Sequence, residues 1–142
     1  MARQAEAEWK GDLKGGAGRV KLGSGAYEGN YSFATRFENG SGANPEELIG
    51  AALAGCYSMA LANSLAQAGF TATSVHSSAE VHLGKDDIGF LVNQIDLTVT
   101  AVVPNVDDAT FQQHVAKTNT GCIIKRSLAA VPAINVKATL KA

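Results

Sequence analysis

The chain has 142 residues, with 12 lysines and arginines against 13 acidic residues and a formal net charge of −1 at pH 7. This balance of charge gives no basic surface for nucleic acid and no polybasic segment for a membrane. The length is typical of one domain with a substantial core, so we expect a single domain over residues 1–142.

The N-terminal third predicts three short strands. The first residues lack the apolar segment of a secretory signal, so we expect a cytoplasmic protein in a reducing compartment. Alternation of residue types over 5–10, 18–22 and 31–37, with glycines between, is typical of an antiparallel meander. The third predicted strand carries Arg36 on the face opposite its aromatic residues.

A long helix is predicted to follow. Asn44 is a good N-cap, Pro45 suits the first helical position and Gly69 suits the end. The intervening residues, about 24 of them, would form a rod of roughly 36 Å. No charge occurs from Leu48 to Leu65, so the helix is apolar on every face and needs cover on all sides. Its many alanines and glycines and its polar side chains favour a buried core helix over a membrane span.

The C-terminal half predicts two strands over 73–83 and 93–103, then two short helices and a last strand over 134–140. The first helix would run from Asp107 to Lys117, and Cys122 would open the second. Segregation of strands from helices favours an α+β fold. A chain this small cannot cover a long apolar helix alone, so we expect an intertwined homodimer.

Cys56 and Cys122 are the only cysteines. Cys122, at a helix N-terminus with lysine and arginine nearby, is predicted to have a lowered pKa. Cys56 lies deep in the long helix, where a nucleophilic thiolate would need a cation from elsewhere, because burial alone raises a thiol pKa. Arg36 is the favoured candidate for the cation that would stabilise this thiolate. The alternative for Cys56 is an inert core residue.

Glu47 precedes Cys56 by nine residues. On one helix the two would lie roughly 180° apart and about 13 Å apart along the axis. Glu47 can cap its own helix. If it also serves the Cys56 site, it comes from a neighbouring subunit or the helix is distorted, and the two roles can coexist.

The sequence predicts no metal or bound cofactor. His76 and His82 share a strand face and His114 stands alone, with no acidic cluster or Cys-x-x-Cys beside them. No Gly-x-Gly-x-x-Gly or Gly-x-Ser-x-Gly motif supports dinucleotide binding or serine hydrolysis.

Three segments carry a family resemblance: Arg36-Phe37-Glu38, the run from Asn44 to Ala52 (NPEELIGAA) and the run from Cys56 to Leu61. With Cys122 opening a late helix, the chain resembles the OsmC/Ohr family of osmotically inducible and organic hydroperoxide resistance proteins. It is more similar to the OsmC branch, whose arginine lies just before the helix. The Ohr branch carries its arginine earlier, where this chain has Arg19.

The resemblance implies an OsmC-like fold and a thiol peroxidase that reduces organic hydroperoxides in stress defence. It implies that Cys56 is the peroxidatic thiolate and Cys122 the resolving thiol. Arg36, or else Arg19, would hold the thiolate, and Glu47 would hold the arginine. A lipoyl-type dithiol reductant and an apolar entrance are also implied. The alternative is a non-enzymatic α+β dimer, a ligand-binding or structural stress protein with inert cysteines.

Overall fold

The computed structural model describes residues 1–141. The chain is α+β, as predicted, and forms two compact units, one over residues 1–48 and one from Ile49 onward. The elements are β1 (Ala5–Lys10), β2 (Ala17–Leu22), β3 (Glu28–Tyr31), α1 (Phe33–Phe37), α2 (Pro45–Gln67), β4 (Ser74–Lys85), β5 (Phe90–Val102), α3 (Asp108–Gly121), α4 (Ile123–Ser127) and β6 (Ala133–Lys141).

The N-terminal unit contains the predicted antiparallel meander, in the order β1-β2-β3. Gly18 pairs with Trp9 on one side and with Tyr31 on the other. A Cβ at Gly18 would lie 2.6 Å from the Trp9 ring, so a glycine is needed where the two aromatic rings close over the strand.

The third predicted strand is wrong beyond Tyr31, because residues Phe33–Phe37 form the short helix α1. Ser32 and Thr35 make a reciprocal capping box. The Ser32 hydroxyl accepts from the Thr35 N–H at 3.2 Å, and the Thr35 hydroxyl accepts from the Ser32 N–H at 2.8 Å. These bonds satisfy the N–H groups at the helix start and favour a turn over continued strand pairing. Arg36 therefore lies on a helix.

The ends of helix α2 are as predicted. The Asn44 side chain accepts from the Glu47 N–H at 2.8 Å, which caps the start. At the other end Gly69 has φ +91°, and the Phe70 N–H donates to the Leu65 carbonyl at 3.0 Å. This is the geometry of a glycine-terminated helix.

Burial of α2 is one-sided within this chain. Its fully buried residues recur every fourth position and join the core; they are Leu53, Tyr57, Leu61 and Leu65. The opposite side is exposed, and Met59 there is 76% exposed. By length and composition α2 could cross a membrane, but the regular buried stripe is that of a core helix.

The second unit has a sheet in the order β4-β5-β6, with β4 antiparallel and β6 parallel to β5. Alternate residues of β5 are buried and join the α2 stripe in one core; they are Ile95, Leu97, Val99 and Ala101. A parallel pair needs a long crossover, and α3 and α4 supply it. Gly50 lets α2 approach the sheet, because a Cβ there would lie 3.3 Å from Val81.

Helix α3 is longer than predicted and ends at Gly121. The predicted break at Thr118 is absent: Thr118 is buried in α3, and its hydroxyl donates to the His114 carbonyl at 2.8 Å. Buried residues, Phe111 and Val115 among them, keep the helix packed. The chain turns at Cys122, which ends α3 and precedes α4.

Candidate active site

The structure brings the two cysteines together. The Cys122 Sγ lies 3.4 Å from the Cys56 Sγ, across 66 residues of sequence. Both are free thiols, and Cys56 is partly exposed whereas Cys122 is fully buried. A disulfide has an S–S length of about 2.05 Å, so the pair is reduced but close enough to form a bond after a small movement.

The predicted lowering of the Cys122 pKa is wrong. Burial raises the pKa of the Cys122 thiol, and the Cys56 side chain raises it further. The backbone N–H groups of Lys125 and Ile124 act in the opposite direction. Their effect is smaller because α4 has only five residues and burial is complete. Cys122 is therefore protonated at neutral pH.

A cavity of about 820 Å³ opens beside Cys56. Its walls come from α2 and from the α3–α4 corner, with apolar Met59 and Ile123 and polar Asn63 and Lys117 among them. This volume is within the range of small-molecule sites. Cys56 is thus the sulfur that a small molecule can reach.

Arg36 is held in the N-terminal unit by Glu46. The Arg36 Nε lies 3.1 and 3.3 Å from the two carboxylate oxygens, and Nη2 lies 2.8 Å from Oε1. The Glu46 side chain is 10% exposed. The prediction that Glu47 holds this arginine is corrected: successive residues point about 100° apart on a helix, so Glu47 faces outward and is exposed.

Arg36 also lines an aromatic cavity of about 250 Å³. The rings around it are Trp9, Tyr31, Phe33 and Phe37. Phe33 and Phe37 pack with centroids 5.0 Å apart, and the Arg36 guanidinium lies 5.5 Å from the Phe37 ring. The cavity therefore places a cation at an aromatic wall.

Arg19, the alternative arginine, is paired elsewhere. Its Nε donates to Glu28 at 2.7 Å and its Nη1 donates to Asn30 at 3.2 Å, across the β2–β3 pairing. The Arg19 side chain is 57% exposed. Of these two candidates, Arg36 lines the aromatic cavity, whereas Arg19 forms an exposed ion pair with Glu28.

Two of the three histidines, His82 and His114, have hydrogen-bond partners. An acidic neighbour for His82 was not predicted, but strand pairing brings Asp96 to within 2.9 Å of its Nε2. Asp96 also accepts from Asn135 and Gln94, and these bonds lower the pKa of its carboxyl. His114 is buried, with Nδ1 2.8 Å from the Ser64 hydroxyl.

Comparison with known proteins decides the family. A profile described as "OsmC-like protein" matches residues 38–137. The chain belongs to the OsmC-like family. It is 45% identical over 129 residues to "Peroxiredoxin OsmC" of Escherichia coli (strain K12), covering 90% of each chain. The predicted OsmC branch and the predicted class of enzyme, a cysteine-based peroxidase, are confirmed.

Solved structures agree on the OsmC-like fold. An OsmC-like protein of unknown function from Vibrio cholerae superposes with a TM-score of 0.77 at 16% identity, over 98% of this chain and 99% of the other. The organic hydroperoxide resistance protein OhrB of Bacillus subtilis superposes with a TM-score of 0.68 at 22% identity, over 97% and 98%.

Proposed function

We propose that this OsmC-like peroxidase reduces organic hydroperoxides to alcohols, with Cys56 as the peroxidatic thiolate and Cys122 as the resolving thiol. The observation that carries the proposal is the 3.4 Å separation of the two sulfurs, with only Cys56 open to a cavity. This arrangement is expected of a peroxidatic thiol with its resolving thiol, and inert core cysteines would not require it.

The chemistry is balanced by these two residues and the substrate. The Cys56 thiolate attacks the O–O bond of ROOH, and the bond breaks to give Cys56 sulfenic acid and an alkoxide that takes up a proton as ROH. The Cys122 thiol then loses its proton and attacks the sulfenic sulfur. Hydroxide leaves with that proton as water, and a Cys56–Cys122 disulfide remains.

Arg36 is proposed to orient the peroxide and to hold the charge on sulfur and then on oxygen. A guanidinium with several fixed donors can follow negative charge as it moves through the transition state. Its Nε and Nη2 are engaged by Glu46, whereas Nη1 has no hydrogen-bond partner within residues 1–141. We assign Glu46, not Glu47, to fix the arginine.

The aromatic cavity supports an organic rather than an inorganic peroxide. An apolar cavity of about 150 Å³ is enough to bind benzene, and the cavity lined by Arg36 is about 250 Å³. A hydrocarbon group can therefore lie among its rings while Arg36 binds the peroxide oxygens. Hydrogen peroxide has no group to fill this cavity.

The active form is proposed to be a cytoplasmic homodimer. The exposed side of α2 carries an uncharged stripe whose members recur three or four residues apart; they are Ala52, Gly55, Met59, Asn63 and Ala66. Small residues of this kind permit close packing of a second copy. The disulfide is proposed to be reduced by an external dithiol of the lipoyl type.

The test is mass spectrometry after one equivalent of cumene hydroperoxide at low protein concentration. We expect loss of two hydrogens per chain and a peptide map with a Cys56–Cys122 bridge. Cys122→Ser should instead accumulate sulfenic acid at Cys56. If Cys56→Ser turns over peroxide at the normal rate, or if neither cysteine is oxidised, the proposal fails.

A further inference from the structure

A partly buried hydrogen bond links α2, which carries Cys56, to α3, which ends at Cys122. The Tyr57 hydroxyl donates to the Asn119 Oδ1 at 2.7 Å, across 62 residues of sequence. Tyr57 follows Cys56 in α2 and is fully buried. Asn119 lies in the last turn of α3, three residues before Cys122.

The last turn of α3 determines where Cys122 lies. The Cys122 N–H donates to the Thr118 carbonyl at 2.9 Å, and the chain changes direction at this residue. A contact that holds Asn119 against α2 therefore also holds the start of the turn that presents Cys122 to Cys56. Tyr57 and Asn119 are each close in sequence to one of the cysteines. The hydrogen bond can therefore be removed without changing either cysteine.

The hydroxyl is suited to a fixed structural contact. Burial raises the pKa of Tyr57, and Cys122 raises it further when that thiol is ionised, so the hydroxyl remains a neutral donor. A buried hydroxyl without an acceptor is costly. Asn119 supplies the acceptor, and this makes one relative position of the two helices favourable.

We propose that the Tyr57–Asn119 bond positions Cys122 for disulfide formation, so that the Cys56 sulfenic acid is resolved before a second peroxide oxidises it. The proposal rests on the peroxidase mechanism above. The sulfurs must close from 3.4 Å to about 2.05 Å. Sulfenic acid that is not captured proceeds to sulfinic acid, which ordinary thiols do not reverse.

The experiment measures the oxidation of Cys56 and the formation of the disulfide separately, in rapid-quench assays on the 142-residue chain. Tyr57→Phe removes the hydroxyl and keeps the ring in the core. We expect the first oxidation of Cys56 to be unchanged and disulfide formation to slow about three- to tenfold, the worth of one hydrogen bond. With excess cumene hydroperoxide, the fraction of Cys56 found as sulfinic acid should rise.

Ser77→Ala is the matched control. It removes the 2.8 Å hydrogen bond between Ser77 and Ser58, which joins α2 to β4 and leaves α3 untouched. We expect its disulfide formation at the normal rate. Asn119→Ala should slow disulfide formation at least as much as Tyr57→Phe, and the double variant should be no slower than Asn119→Ala.

Three results would overturn the inference: normal disulfide formation in Tyr57→Phe, equal slowing in Ser77→Ala, or additive losses in the double variant. Each leaves the peroxidase proposal intact, provided that wild-type Cys56 still forms its disulfide. Failure of the wild-type protein to oxidise Cys56 would instead remove the peroxidase proposal.

Discussion

Replacement of Glu46 by glutamine, with Glu47→Gln as its matched control, tests whether Arg36 is positioned as the structure shows. Both substitutions remove one negative charge from the first turn of α2, so their effects on the helix dipole are similar. Only Glu46 binds Arg36, through contacts of 2.8 to 3.3 Å. Any difference between the two variants therefore reports on the arginine.

The size of the effect follows from burial. A hydrogen bond to a charged group is worth about 1.5–3 kcal/mol. The Arg36 side chain is 41% exposed and Glu46 is 10% exposed, so solvent screening favours the lower end of this range. A loss of about 1.5–2 kcal/mol corresponds to a roughly 13- to 30-fold fall in kcat/KM for Glu46→Gln. Glu47→Gln should stay within about twofold of wild type, because its carboxylate is exposed.

The assay is the consumption of cumene hydroperoxide with dihydrolipoamide as reductant, supported by thermal melting to show that both variants are folded. Equal losses in the two variants, or a loss confined to Glu47→Gln, would refute the assignment of Glu46. A fall in kcat/KM for Glu46→Gln with unchanged melting would support it.

Three further predictions concern other parts of the molecule. Because burial raises the pKa of Cys122, disulfide formation in rapid-quench assays should quicken as pH rises above neutral. This thiol ionises at a lower pH in the unfolded chain than in the folded chain. The free energy of unfolding in denaturant melts should therefore fall at alkaline pH, and it should fall less in Cys122→Ser. Phe33→Ala should lower kcat/KM for cumene hydroperoxide about two- to tenfold and leave hydrogen peroxide unaffected. In light scattering, Ala52→Arg should yield monomers, whereas Ser78→Arg on the exposed sheet face should not.

Local signals predicted the parts of the fold that local chemistry determines. Asn44, Pro45 and Gly69 mark the ends of α2 because caps act over a few residues. The alternation of residue types identified β5 because this pattern also depends only on residues close together in sequence. The sequence could not distinguish a third strand from α1, because the pair of hydroxyls at Ser32 and Thr35 overrides an alternating pattern.

Several features of the candidate site could not be predicted from the sequence, because they depend on the packing of residues far apart in the chain. Glu46 and Glu47 are adjacent and chemically identical, and only the rotation of α2 against Arg36 selects between them. The pKa of Cys122 depends on burial that no local pattern reports. The resemblance named both cysteines, but their separation of 3.4 Å required the packing of α3 against α2.

The unequal exposure of the two sulfurs has a consequence for the return half of the cycle. In the proposed Cys56–Cys122 disulfide, an incoming dithiol would attack the Cys56 sulfur, because Cys122 is buried. The mixed disulfide would then always form on Cys56, with Cys122 as the departing group. A thiol of raised pKa departs slowly, so the raised pKa of Cys122 would slow reduction of the disulfide, and electrons would enter and leave through the Cys56 sulfur.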